Sequence, residues 1–237
     1  MAHRGAVLMS ALVSPVQIEK RATIADQLFD RLRDRMVSMQ WKPRKVISRQ
    51  EIAEEFGVSQ TPVREALLRL ENLGLIVVYP QSRTEVAPID ARQAREVQFL
   101  RRGLETEVAI SLSESINQQG IHDLQHIIDA KRAIMDNDDM MLNFMRLDRQ
   151  FHQTMFAMVG QSNLYDLVVE KSIHLDRMRL LQLPQKEKRQ GITHEHQAIL
   201  DAIASRDPRQ MNDAIRRHLG STSNSLAPVE ERFPAYF

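Results

Sequence analysis

The stretch from Ser48 to Val86 most constrains how this chain can fold, because punctuation residues divide it into short, ordered pieces. Ser48 precedes a short helical segment, Arg49 to Phe56, with Glu51 three residues on as in a capping box. Gly57 ends it, since glycine tolerates the left-handed conformation that closes a helix. Ser59 and Thr61-Pro62 open a second helix, with the proline in a first turn where a missing N–H costs nothing. That helix runs through Arg64, Leu67, Leu68 and Leu70 to about Leu73, and Gly74 closes it. The apolar, β-branched run Leu75-Ile76-Val77-Val78-Tyr79, the turn Pro80-Gln81-Ser82-Arg83 and the segment Thr84-Glu85-Val86 read as two short strands about a turn. Helix, glycine turn, helix and hairpin in that order make a winged helix-turn-helix.

The flanks read as helix. Ile24, Leu28, Leu32 and Met36 recur at helical spacing, which predicts a helix over 20–39 that stops before Pro43. Pro88-Ile89-Asp90 marks a domain boundary, and beyond it no strand pattern recurs. Helices are expected over roughly 91–118, 121–136, 138–159, 162–182, 190–204 and 208–225, separated by turns such as Gln119-Gly120, Gly160-Gln161-Ser162-Asn163 and Arg206-Asp207-Pro208. Connections this short favour antiparallel neighbours in one bundle. The low aromatic content, 5%, and only 8 glycines in 237 residues fit a mostly helical chain. The expected fold class is therefore mostly α: residues 1–19 form a disordered arm, 20–90 an N-terminal winged helix-turn-helix, 91–225 a C-terminal antiparallel all-helical bundle, and 226–237 a tail.

With no cysteine, disulfides, thiol catalysis and cysteine-bound metals are excluded. No apolar run is long enough to span a membrane, and a cytoplasmic location is expected. The net charge of +1 means that any nucleic-acid binding must come from a local patch. Such a patch exists: Lys42, Arg44, Lys45 and Arg49 precede the second helix of the motif. In a helix-turn-helix that second helix enters the major groove with its N-terminal residues nearest the bases. Here those are Ser59, Gln60, Thr61 and Arg64. Glutamine can read adenine and arginine guanine, each through two hydrogen bonds, while the hydroxyls and helix N–H groups can hold phosphates.

Residues 48–71, SRQEIAEEFGVSQTPVREALLRLE, resemble the winged helix of the GntR family, and NLGLIVVYP continues the likeness into the wing. The resemblance covers residues 20–90 and implies binding to a double-stranded DNA operator. Arg64 falls on a position that contacts DNA in that family. Two further contact positions, usually arginine, hold Gln50 and Gln60. The wing turn, which usually carries glycine, is Ser82-Arg83, and the usual Pro-Gly ahead of the motif is Pro43-Arg44. The DNA-contacting set is thus expected to be Arg49, Gln50, Ser59, Gln60, Thr61, Arg64, Ser82 and Arg83.

In the second half, the segment 138–159 has an apolar face of Met141, Phe144, Met145, Phe151, Met155 and Val159, with Asp148 and His152 in its middle, four residues apart. A buried carboxylate needs a partner. His196 shares a face with Ile199, Leu200 and Ile203, and His218 with Met211, Ala214 and Ile215. His174 also faces inward, whereas His122, His126 and His194 fall on solvated faces. One inward histidine is usually a hydrogen-bonded core residue, but an aspartate with three of them is a ligand set for Zn²⁺, Ni²⁺ or Mn²⁺ with coordination positions to spare. Residues 91–225 resemble the FCD effector domain of the FadR subgroup of GntR regulators. The carrying residues are Arg101-x-x-Leu104-Glu105, Asp148-x-x-Phe151-His152, Glu195-His196 and His218-Leu219. That resemblance implies a metal on Asp148, His152, His196 and His218, a small carboxylate effector beside it, and Arg101 as a carboxylate partner, with an ion pair to Glu105 as the alternative role for that arginine.

Taken together, these readings point to a ligand-responsive transcription regulator, a repressor, working as a homodimer on a near-palindromic site. A metal-dependent hydrolase built on the same four ligands is the alternative. It lacks a well-placed general base, since the one adjacent candidate, Glu195, is expected off the inward face, and it gives the winged helix no role. A DNA-architectural protein would leave the buried Asp148 and the three histidines without purpose.

Overall fold

The computed structural model describes residues 22–224 and 226–237, with the side chains of 222–226 outside that description; the expected arm, 1–19, also lies outside the described residues. The first helix, α1 (Ile24–Val37), opens with a complete capping box between Thr23 and Asp26 and buries Leu28, Leu32 and Met36 of the face its periodicity predicted, whereas Ile24, in its first turn, is exposed. A two-residue strand, β1 (Val46–Ile47), follows and was not expected from so short a segment. Then come α2 (Arg49–Phe56) and α3 (Gln60–Asn72). At Ser48 half of the expected box is made, the hydroxyl accepting the Glu51 N–H at 3.3 Å. Gly57 takes the left-handed conformation (φ 62°) that the turn requires.

The wing pairs β2 (Ile76–Tyr79) with β3 (Arg83–Val86), antiparallel, with Tyr79 opposite Arg83 and Ile76 opposite Val86; β1 completes a sheet of order β1-β3-β2. Arg44, where the family's glycine was missing ahead of the motif, adopts positive φ (66°), and in the wing turn the positive φ (57°) falls on Gln81, one residue before Ser82-Arg83, at a cost on the order of 1 kcal/mol each. Arg44 is compensated by its N–H, which donates to Val86 O at 2.8 Å and so anchors β1 to the wing.

The remainder is helical. α4 (Ala91–Ser115) is capped by Asp90, whose carboxylate accepts the N–H groups of Arg92 and Gln93. α5 (Gln118–Ile134), a 3₁₀ turn at 138–140, and α6 (Met141–Met158) follow. The single helix expected over 162–182 is two, α7 (Ser162–Lys171) and α8 (Ile173–Gln182). The break falls at Ser172, whose hydroxyl donates back to Val168 O at 2.6 Å, a local side-chain bond that competes with helix continuation. α9 (Lys186–Ser205) and α10 (Pro208–Asn224) complete the bundle. The core gathers Ala109 and Leu112 of α4, Leu124 and Ile128 of α5, Phe151 and Met155 of α6, Leu200 and Ile203 of α9, and Ile215 and Leu219 of α10.

The expected tail is structured. α11 (Leu226–Arg232) and a 3₁₀ turn at 234–236 place Val229, Phe233 and Tyr236 against Ile89, Val97, Leu175 and Met178. These apolar residues cover the joint between the two halves of the chain, a role that a short, proline-punctuated segment does not reveal by periodicity. Ile89 N–H donates to Tyr236 O at 2.7 Å, and Arg44 Nη2 to Phe237 O at 3.1 Å.

Candidate metal centre and nucleic-acid interface

The N-terminal end of α3 presents Gln60, Thr61 and Arg64 to solvent, with Ser59 at the N-cap. The Ser59 side chain makes no capping bond, so its hydroxyl and the α3 N–H groups face outward together, the arrangement that suits a phosphate. Arg49 and Gln50 are exposed at the start of α2, and the Gln50 amide donates to Glu54 at 2.9 Å. In the wing, Ser82 and Arg83 are exposed. Arg83 is held over the Tyr79 ring (4.4 Å) and against the Glu85 carboxylate (2.8 Å). Its charge is partly offset by Glu85, so Arg83 would meet a DNA backbone only by exchanging one anion for another.

In the bundle the structure brings together side chains from six helices, α4, α5, α6, α8, α9 and α10. His152 (α6), His196 (α9) and His218 (α10) each turn a ring nitrogen to a common point, the three nitrogens lying within 4.8 Å of one another. All three rings are buried. Two are oriented by carboxylates: His152 Nδ1 faces Glu105 Oε2 at 2.9 Å, and His218 Nδ1 faces Glu195 Oε2 at 2.9 Å. A carboxylate on Nδ1 places the proton there and leaves Nε2 as a lone pair. The two Nε2 atoms lie 3.3 Å apart. Lone pairs at that distance repel unless a proton or a metal ion lies between them. This is the observation by which the residues fit a divalent ion.

Asp148 (α6) meets the group through His196 Nε2, at 3.3 Å from Oδ1. It is already engaged: Arg179 of α8 donates to Oδ2, and Lys131 of α5 donates to Oδ1 at 2.9 Å. Lys131 also lies 3.0 Å from His196 Nδ1. Burial works against the charged carboxyl of Asp148, but Arg179 and Lys131 outweigh it and hold the group well below the usual carboxylate range. Glu105, fully buried, is likewise opposed by burial and held at about 2 by Arg101 and His152. Burial pushes the Lys131 ammonium down to about 8 against the pull of Asp148. Burial and then Lys131 push His196 well below the usual histidine range, and burial brings His218 to about 4 despite its bond to Glu195. Those two imidazoles are neutral at pH 7, the form that ligates metal.

Arg101 donates to Glu105 at 2.6 Å, the ion-pair role, and also lines a cavity of about 20 Å³ together with Arg149, Arg179, Tyr165, Ser172 and His152. Such a space holds about one water. Glu195, expected off the inward face, is instead half-buried and spends its carboxylate on His218. His122 and His126 are exposed, as is His194. His174 faces away from the cluster, its Nδ1 accepting the Asp90 N–H at 3.0 Å.

Glu105 as an orienting carboxylate, Lys131 and Arg179 were not anticipated at this centre. Lys131 left a signal: it continues the apolar stripe Leu124, Ile127, Ile128 at helical spacing, where a solvated lysine does not belong. Arg179 did not, because nearly every residue of α8 is buried and the helix shows no polar face against which an inward arginine would stand out.

The family comparisons agree with both halves. Residues 24–86 match the model of bacterial regulatory proteins of the gntR family, and residues 96–221 match the FCD domain. An HTH-type transcriptional regulator of Streptomyces ambofaciens is 28% identical over 211 residues, covering 89% of this chain and 88% of its own. The HTH-type transcriptional repressor RspR of Escherichia coli K12 is 25% identical over 221 residues, covering 93% and 96%. Among solved structures, E. coli McbR/YncC shares the fold with a TM-score of 0.71 at 19% identity, covering 90% of this chain and all of that one. This chain belongs to the GntR family of bacterial regulatory proteins, as a DNA-binding transcriptional regulator with a C-terminal FCD domain.

Proposed function

We propose that this regulator is a cytoplasmic repressor, not an enzyme, which binds its operator as a homodimer through residues 20–90 and senses a small carboxylate through residues 91–225, beside a divalent zinc, nickel or manganese ion on Asp148, His152, His196 and His218. The observation that carries the metal reading is the 3.3 Å approach of the His152 and His218 Nε2 atoms, each backed by a carboxylate on Nδ1. A bound ion would link α6, α9 and α10 and attract an anion. Arg101, Arg149 and Arg179 line the adjacent cavity, each paired with a carboxylate (Glu105, Asp176 and Asp148), so an anionic effector would take the place of one of these partners. The cavity is too small for a carboxylate as it stands, so effector entry requires its walls, which include Ser172 at the α7–α8 break, to move. Repression is supported by the likeness to RspR, and dimerisation by Phe99 on α4, a large apolar side chain 74% exposed.

The hydrolase alternative weakens on the same geometry. Glu195 is tied to a ligand histidine and Glu105 to another, so neither carboxylate stands ready to take a proton from a metal-bound water.

The test is thermal-shift screening of the purified chain against small carboxylates, with and without chelator, paired with operator gel shifts. A chelator should lower the melting temperature, a carboxylate should raise it only in the metal-loaded protein, and the same carboxylate should change operator affinity. His152→Ala should abolish metal content while His122→Ala, exposed on α5, leaves it intact. A metal-replete protein with no bound ion and no response to chelator would defeat the metal reading and leave the DNA-binding assignment standing.

A further inference from the structure

Resting on that metal reading, one residue of the centre remains unexplained. Lys131 is fully buried, with its ammonium 2.9 Å from Asp148 Oδ1, 3.0 Å from His196 Nδ1 and 4.6 Å from the centroid of the Phe144 ring. Three different kinds of partner for a cation surround it, so the position is built to hold a positive charge. Its donation to His196 Nδ1 makes that nitrogen an acceptor and places the His196 proton on Nε2, facing Asp148 Oδ1 at 3.3 Å. The His196 Nε2 lone pair is then unavailable to a metal, and the Asp148 oxygen it faces is already in use.

The balance of charge points the same way. Arg101 offsets Glu105, Arg179 faces Asp148 and Asp176, and Arg149 pairs with Asp176, while Lys131 is held by Asp148 with Glu195 nearby, so cations and carboxylates are already matched. A divalent ion added to this centre would bring two uncompensated positive charges within a few ångströms of the Lys131 ammonium, in a buried setting that screens them weakly. His152 and His218 keep their lone pairs for an ion, and Asp148 and His196 do not.

We propose that the Lys131 ammonium is a built-in cation that occupies the Asp148–His196 half of the centre and competes with a divalent ion for it, so that Lys131 sets how tightly the regulator holds metal. Loading then requires the lysine to withdraw from Asp148 and release the His196 ring to turn its lone pair to the ion.

Zinc binding to the full-length, chelator-stripped protein tests this by titration calorimetry and equilibrium dialysis at one fixed pH. Lys131→Met removes the charge and keeps the length of the side chain, and Lys131→Gln keeps a hydrogen-bond donor as a second variant should the first fold poorly. Both should bind zinc at least about tenfold more tightly than the wild type. Both should also gain more in melting temperature on adding zinc, and adding His152→Ala to either should erase the gain. Equal zinc affinity in wild type and variants would overturn the role of Lys131 while the metal reading stood. No zinc binding by wild type or variants would overturn both.

Discussion

His174 gives the most quantitative handle on how the two halves of the chain are joined. It begins α8 in the bundle, yet its Nδ1 accepts the N–H of Asp90 at the head of α4, and its Nε2 lies against Gly74 at the end of α3's turn. The charged groups that face it are Arg177 from its own helix and Asp90 from the linker. Burial, followed by Arg177, lowers it from 6.5 to about 4, with Asp90 and the Gly74 backbone pulling the other way. A histidine whose folded pKa is depressed favours the neutral form. Its contribution is fully present above pH 6.5 and is lost as the pH falls from 6.5 toward 4, because the unfolded chain takes up the proton first. The full effect is about 3 kcal/mol, of which about 2 kcal/mol is gone by pH 5.

Other groups also contribute to the pH dependence of stability, so the test is a comparison. His174→Asn keeps an acceptor near the Nδ1 position and removes the titration. Urea unfolding of wild type and variant at pH 7.5, 6 and 5 should show wild type losing about 2 kcal/mol more than the variant between the extremes. Trp41, the single tryptophan, reports the winged helix, and far-ultraviolet dichroism reports the bundle. Parallel pH profiles for the two proteins would refute the reasoning, since every other group is common to both.

Two further outcomes follow from the surface. Arg64→Ala should weaken operator binding by about 1–3 kcal/mol if Arg64 reads a guanine, with the loss concentrated on the native operator; unchanged binding by fluorescence anisotropy would remove α3 from the major groove. Light scattering should find a dimer, and Phe99→Glu should shift it toward monomer; a wild-type monomer both free and on DNA would rule out the two-half-site mode.

The helix-turn-helix was legible because each boundary carries its own chemistry: Ser48, Gly57, Pro62 and Gly74 act locally, and α2 and α3 fall within a residue of where those signals put them. The four metal-type side chains were legible because each interrupts an apolar stripe. What was not legible depends on contacts distant in sequence. The α7–α8 break turns on one serine hydroxyl whose alternative, a continuous helix, fits the periodicity equally well. The docking of 226–237 depends on a joint between Ile89, Val97 and Met178 that no local pattern announces. Arg179 reaches Asp148 across 31 residues, and only the packing of α8 against α4 and the neighbouring α6 reveals it.

That packing also bears on how a site in the bundle could influence the winged helix. α8 holds the Asp148 carboxylate through Arg179, and two residues earlier Arg177 donates to the carbonyls of Ala87 (2.8 Å) and Pro88 (3.4 Å) in the linker after β3. Asp176 pairs with Arg149 of α6, and His174 takes the Asp90 N–H. Residues two apart on a helix point to nearly opposite sides, so one ten-residue element touches the Asp148–histidine cluster on one face and the linker on the other. Arg177 is fully buried with carbonyls as its hydrogen-bond acceptors, and burial lowers it to about 10, still charged at neutral pH. A buried cation without a carboxylate is costly to leave unpaired, so the linker carbonyls cannot move away from it freely. If the proposed ion or effector drew Asp148 toward itself, it would change the seat of Arg179, and α8 would follow only by dragging Arg177, His174 and the linker with it. Coupling of this kind alters operator affinity to the extent that DNA binding prefers one of the two seats of α8, and by reciprocity the operator would change effector affinity by the same factor.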